Sequence, residues 1–211
     1  MTPWGFNATN GIDQLTLEDY VSSRYILNPL RLWDCDRPVN ASAAYLFTTS
    51  ERARDMKQPP VYVLNHSQHN FPNRTTQPDL DEIEDWTDRA AKRMYEGAGM
   101  SPSEVDIFNP YDGYATMSQF YLEAFQWHGV KRGDAFAFYK GDIRVEGPHP
   151  LSSSGGNLGN GRTRTAMYTD SIEQLRGTAG PRQVTVRSDT ALAAFSTPSS
   201  GGWMMFGKHP N

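Results

Sequence analysis

Apolar positions along the chain change period several times, and each change marks an element. Leu15 to Tyr25 has a helical pattern with Thr16 as its cap. Ala41-Ser-Ala-Ala-Tyr-Leu-Phe-Thr-Thr49 is short, apolar and bounded by polar residues, the pattern of a buried strand. Glu51 to Met56 predicts a short helix ended by Pro59-Pro60, and Val61 to Leu64 a second strand. Residues 65–79 read as loop, since His, Asn, Pro and Thr dominate there.

Leu80, Ile83, Trp86, Ala90 and Met94 then fall on one helical face, with Gly97 and Gly99 as stops. Val105-Asp-Ile-Phe108 predicts a strand, and Met117, Phe120, Tyr121, Ala124 and Phe125 line a helix closed by Gly129. A helix over about Thr163–Arg176 follows the glycine-rich run Gly155-Gly156-Asn-Leu-Gly-Asn-Gly161. Gln183 to Arg187, Ala191 to Phe195 and Trp203 to Phe206 supply further strand material. Strands and helices in alternation, without repeats or a linker, predict one α/β domain.

Composition narrows the function. A formal net charge of -4 disfavours a nucleic-acid partner. The single cysteine, Cys35, rules out an internal disulfide and fits a reducing, cytoplasmic compartment. Met1 to Asp13 holds no apolar run of the signal-peptide kind, and no stretch has the length and apolarity of a membrane span. No histidine, cysteine and carboxylate spacing builds a convincing metal site. Gly156 to Thr163 comes within one residue of a phosphate-binding loop, with Arg162 where lysine is required. No apolar strand feeds that loop, which argues against nucleotide hydrolysis.

The order of the pieces resembles the C-terminal half of thiolase-superfamily proteins. Asp36 to Ser50 resembles that half's opening strand, and Ser101 to Ile107 the approach to its second strand. Asn109-Pro-Tyr-Asp-Gly-Tyr114 resembles the motif in which the lipid-transfer (sterol-carrier-protein thiolase-like) branch places a catalytic residue. Ser154-Gly155-Gly156, Gln174-Leu-Arg-Gly177 and Ser199-Ser-Gly-Gly-Trp203 resemble its later turns. The resemblance implies a thiolase-like C-terminal domain over 34–211, a mixed five-stranded sheet with helices on both faces. Residues 1–33 would be a lead-in segment packing on a partner or on the core.

Thiolysis is disfavoured by the same alignment. Nothing corresponds to the half that carries the nucleophilic cysteine, Ser199 lies near the position of the second cysteine, and Arg162 replaces the histidine of Gly-His-Pro. The steroid side-chain aldolases of this branch hold the two histidine positions with tyrosines, and Tyr111 matches the first of them. Tyr111 and Arg162 are therefore the expected catalytic pair for retro-aldol cleavage of a β-hydroxyacyl-CoA. A free phenol titrates near pH 10, so Tyr111 needs help to act as a base, and Arg162 could provide it. Asp112 would orient Tyr111 or cap the helix that follows, Gly155 and Gly156 would offer backbone N–H groups to the thioester, and His149 could reach the substrate. The resemblance implies no cofactor on this chain, coenzyme A thioester as substrate, and an oligomer with a thiolase-like N-terminal half or catalytic subunit. A small OB-fold/zinc-ribbon acyl-CoA-binding subunit would be a further partner. The competing expectation is a non-catalytic subunit that completes a heteromeric enzyme.

Overall fold

The computed structural model describes residues 15–70, 78–197 and 200–210. Helix α1 (Leu17–Ser22) starts on the expected Thr16 cap, closed reciprocally by Asp19. A two-stranded ribbon follows, β1 (Tyr25–Leu27) against β2 (Leu30–Arg31). After helix α2 (Ser50–Arg54) come β3 (Tyr62–Asn70), α3 (Leu80–Ala98), β4 (Ile107–Asn109), α4 (Met117–Ala124) and α5 (Ala135–Tyr139). Then follow α6 (Gly156–Asn160), α7 (Ala166–Arg176), β5 (Thr190–Ala194) and β6 (Ser200–Gly207). The main sheet has the order β3-β6-β5-β4; β5 runs parallel to β4, and β6 is antiparallel to both its neighbours.

Helices cover both faces, as the α/β reading requires. Side chains alternate across β6. Trp203 packs against Tyr121 and Phe125 of the α4 side, ring centroids 4.6 and 4.4 Å away, while Phe206 meets Tyr168 of α7 at 6.0 Å. Helix α3 lies on the Trp203 side, where Tyr95 packs on Phe125 and donates its hydroxyl to the Phe125 carbonyl at 2.7 Å. Its ends follow from sequence: Asp79 and Glu82 form a reciprocal cap, and Gly99 stops the helix at φ 63°. The buried face is Thr87, Ala90, Ala91, Met94 and Ala98, whereas Leu80 is exposed. The expected stripe was thus off by part of a turn at its start.

Four expectations need correction. Among the described residues the sheet has four strands, and the fifth is reduced to a single parallel bridge between Phe108 and Leu151. The segment Ala41–Thr49 is no buried strand: it joins neither sheet, and Leu46 and Phe47 are 80% and 65% exposed. Among the described residues its apolar pattern has no partner strand, and Tyr45 ties it to α7 by hydrogen bonds to Thr165 and Thr169. β3 continues to Asn70, well into the expected loop, because backbone pairing with β6 outweighs the polar composition. Gln183–Arg187 forms no strand; the Val184 amide is held instead by Gln174 of α7. Among the described residues no helix is long and apolar enough to cross a membrane.

Candidate active site

The site gathers at the carboxyl end of β4, where Pro110 removes a ladder donor and turns the chain out of the sheet. Asn109, the last strand residue, is fully buried and acts as a clamp. Its side chain donates to Asp170 and to Ser171 of α7, each at 3.1 Å, and accepts the Ser154 amide at 3.3 Å. Ser153 donates to the same Asp170 carboxylate at 2.6 Å, and Arg182 pairs with it. Burial raises the Asp170 pKa, opposed first by the Ser153 hydrogen bond and then by the charge of Arg182. This buried network fixes the glycine loop beside the strand end.

Within that loop the chain makes the short helix α6, which the sequence pattern did not announce. Asp112 caps it: the carboxylate accepts the Asn157 amide at 2.5 Å and the Leu158 amide at 3.4 Å. Contrary to expectation, Asp112 does not cap the helix that follows it; the helix it caps lies in a loop 45 residues away. Gly156 is indispensable there, since its φ is 61° and a β-carbon would stand 1.8 Å from the Asp112 carboxylate. The amides of Gly155 and Gly156 already have acceptors, the Ser152 carbonyl at 2.8 Å and the Ser154 hydroxyl at 3.0 Å. They hold the turn and are not spare donors for a thioester.

Burial pushes the Asp112 carboxyl up to about 6, against the pull of the two amides. Its folded pKa exceeds the unfolded one, so its stabilisation is full below about pH 4 and is lost as pH rises through about 6. Asp112→Asn keeps an acceptor oxygen but cannot ionise. The variant is expected to gain on the native protein by about 3 kcal/mol between pH 4 and 7, from a shift of roughly 2 pKa units. Urea denaturation of both proteins across that range measures the difference, in which the other carboxylates cancel.

The catalytic candidates meet through a strap the sequence reading did not single out. Residues 34–37 run between the Tyr111 turn and the glycine loop. The Asp36 amide donates to the Gly113 carbonyl at 3.0 Å, the Ala115 amide to the Asp34 carbonyl at 2.9 Å, and the Arg162 amide to the Arg37 carbonyl at 2.7 Å. The side chain of Asp36 is fully buried and receives Arg162 in a forked pair, Nη2 at 2.7 Å and Nε at 2.9 Å from the same oxygen. Tyr111, 4% exposed, folds back over Gly113: a β-carbon there would lie 2.1 Å from the phenol oxygen. The phenol, Gly113, Asp36 and Arg162 therefore form one contiguous patch.

Burial raises the Tyr111 pKa, and the Asp36 charge adds to the rise; Arg162 and Arg164 pull the other way without prevailing. The expected help from Arg162 is thus spent against Asp36, and Tyr111 stays protonated at neutral pH. A phenol held in that form can offer a hydrogen bond, and proton removal through it is made harder. His149 is not brought to this patch. It lies two residues before the Phe108–Leu151 bridge, toward the amino end of β4, against His128 at 4.3 Å and Phe138 at 5.7 Å. That level is three strand residues, roughly 10 Å, below the point where the Tyr111 turn begins. The run Gly147-Pro-His149-Pro150 imitates the family's Gly-His-Pro without its place in the fold. Ser199 lies outside the described residues.

Asp36 was missed because its partner is 126 residues away and no local pattern marks it; the acidic pair Asp34 and Asp36 ahead of a small-residue run was the available signal.

With this geometry in hand, comparison with known proteins is informative. Residues 67–206 match the family described as thiolase C-terminal domain-like. Over 194 residues the chain is 30% identical to 17-hydroxy-3-oxo-4-pregnene-20-carboxyl-CoA lyase of Mycobacterium tuberculosis, covering 89% of this chain and 50% of that protein. Over 177 residues it is 29% identical to the acetyl-CoA acetyltransferase of Methanothermobacter thermautotrophicus, covering 81% and 45%. The solved structure of an Ltp2-ChsH2(DUF35) aldolase shares the fold, with a TM-score of 0.76 at 23% identity over 92% of this chain and 51% of that one. The chain thus spans about half the length of the curated relatives it matches. Motif order, sheet topology and sequence similarity agree: the chain belongs to the thiolase C-terminal domain-like family, related to the sterol-carrier and steroid-aldolase branch of the thiolase superfamily.

Proposed function

We propose that this chain works within a heteromeric, lipid-transfer-type thiolase-like enzyme on acyl-CoA thioesters, cleaving a β-hydroxyacyl-CoA by a retro-aldol reaction. The observation that carries the reading is a buried Tyr111 phenol beside the Asp36–Arg162 pair. In the reaction a base removes the β-hydroxyl proton, and the oxygen's electrons form the new carbonyl. The Cα–Cβ bond breaks, its electrons pass to the thioester as an enolate, and a proton then adds at Cα. Tyr111 donates a hydrogen bond to the enolate oxygen as its charge develops. Arg162 holds the neighbouring charge in place through Asp36. The base comes from a partner chain, a thiolase-like N-terminal half or catalytic subunit. A small OB-fold/zinc-ribbon subunit that delivers the acyl-CoA completes the proposed assembly. Branched acyl groups, steroid side chains among them, are the proposed substrates, in line with the lyase named above.

One observation favours a second reading, a structural subunit without chemistry of its own. The polar groups of the glycine loop are consumed in holding the fold, and Leu46 and Phe47 offer apolar surface that a partner would cover. The two readings separate in one assay. The chain is purified with the proteins it assembles with and given a β-hydroxyacyl-CoA, and products are followed by mass spectrometry. A carbonyl product and a shortened acyl-CoA formed without added coenzyme A are expected. Cleavage that requires free coenzyme A would turn the assignment to acyl transfer. An assembled complex without turnover would leave the structural role.

A further inference from the structure

We infer that residues 17–31 are the surface on which the base-bearing partner half docks, and that Tyr20 and Asp34 transmit this docking to the turn that holds Tyr111. The inference rests on the partner-supplied base of the reading above and gives that partner its place.

The lead-in holds its shape while showing its apolar side chains to water. Thr16 and Asp19 cap α1 reciprocally. The Leu32 amide donates to the Arg24 carbonyl at 3.0 Å. The Arg31 guanidinium donates to the Ser23 carbonyl at 2.7 Å and lies 4.2 Å over the Tyr25 ring. Yet α1 buries no residue, and β1 is exposed throughout. Leu17 and Val21, one turn apart on α1, are 77% and 50% exposed, and Ile26 and Leu27 follow at 46% and 70%. An ordered backbone that presents this many large apolar groups marks a surface for another chain.

The same segment is tied to the candidate site. Tyr20 is the one residue of α1 that turns inward. Its hydroxyl donates to both carboxylate oxygens of the buried Asp34, at 3.0 and 3.1 Å, and the Arg31 amide donates to that carboxylate at 2.7 Å. Asp34 therefore fastens helix and ribbon at one point. Its own carbonyl accepts the Ala115 amide, and Cys35 forms an antiparallel bridge with Tyr114. Two residues further on, Asp36 holds Arg162. A shift of the lead-in thus reaches the strap that frames Tyr111 through hydrogen-bonded links of short range.

The occupant follows from what the patch lacks. It holds a buried phenol, an arginine already paired and a carboxylate engaged as a cap. The base enters from a neighbouring chain, and the strap places the lead-in next to the patch that chain must reach. The curated relatives carry about as much chain again outside their matched half. A chain corresponding to that other half is the occupant we assign.

The test uses the assembled complex. Leu27→p-benzoylphenylalanine puts a photoreactive ring on the surface, and mass spectrometry identifies the chain it captures. Crosslinks to the thiolase-like half are expected. Crosslinks confined to a second copy of this chain or to the small acyl-CoA-binding subunit, or none at all, would overturn the assignment. Leu17→Asp combined with Leu27→Asp is expected to raise the assembly Kd by about tenfold or more. Both side chains are exposed, so the thermal midpoint of the isolated chain should not fall. An unchanged Kd would overturn the docking surface. Transmission is read from hydrogen exchange at the Asp36 and Ala115 amides, which assembly is expected to slow about tenfold. Tyr20→Phe keeps the ring and removes the link, so assembly should persist while the slowing is lost. Asp34→Asn keeps an oxygen that accepts both donors and should retain the slowing. Slowing that persists in Tyr20→Phe would overturn the role of Tyr20 and Asp34. None of these readouts needs turnover: if the complex behaves in this way but cleaves nothing, the lyase reading fails and the docking surface stands.

Discussion

Tyr111→Phe is expected to lower kcat for thioester cleavage by about 10²–10³, the effect of removing one donor from a developing enolate. The substitution keeps the ring, so the buried packing over Gly113 survives and the complex should assemble normally. KM should change little, because the hydrogen bond strengthens only as charge builds on the oxygen. The pH profile adds a second reading. Burial and Asp36 hold the phenol pKa above its usual value near 10, so wild-type activity should show no gain from phenol ionisation between pH 7 and 10. A rate that climbs with pH in that range and loses the climb in the Phe variant would instead make Tyr111 a base. Unchanged kcat in an intact complex would move the chain to the structural reading.

Arg162→Ala is expected to be the most destabilising of these substitutions, by about 3 kcal/mol. The reason is asymmetric burial: the Asp36 side chain is fully buried while that of Arg162 is 38% exposed. Removing the arginine leaves a carboxylate in the interior without its partner, the costly way to break such a pair. The estimate sits at the low end of the usual range because water reaches the guanidinium side. For a chain of 211 residues this corresponds to a fall in Tm of roughly 10 °C. Adding Asp36→Asn should recover much of the loss, since no charge is then stranded. A double-mutant cycle in urea gives the coupling directly, and additive losses from the two single changes would contradict the buried pair.

Much of this was legible along the chain where the signal was local. The cap of α1, the left-handed Gly99 and the strands on either side of the closing turn follow from residue types at short spacing. The placement of Tyr111 and Arg162 came from motif order. What escaped depends on contacts that short windows do not contain. The role of Ala41–Thr49 required knowing which strand pairs with it, and composition is silent on that. The direction of the Tyr111 shift required knowing that the phenol is buried and that the Asp36 charge acts on it. His149 was drawn in by Gly147-Pro-His149-Pro150, a near-copy of the family's Gly-His-Pro at the wrong end of β4, where spatial level, not sequence, decides.

The strap that carries Asp36 has a practical consequence. It precedes the family-matched span 67–206, so a domain trimmed to that span would retain Tyr111 and Arg162 but lose the carboxylate between them. Such a fragment would also lose residues 62–66 of β3, and it would leave Arg162 without its carboxylate. Boundaries for expression, deletion or grafting therefore belong upstream of Asp34, where the backbone bond to Ala115 begins the clasp.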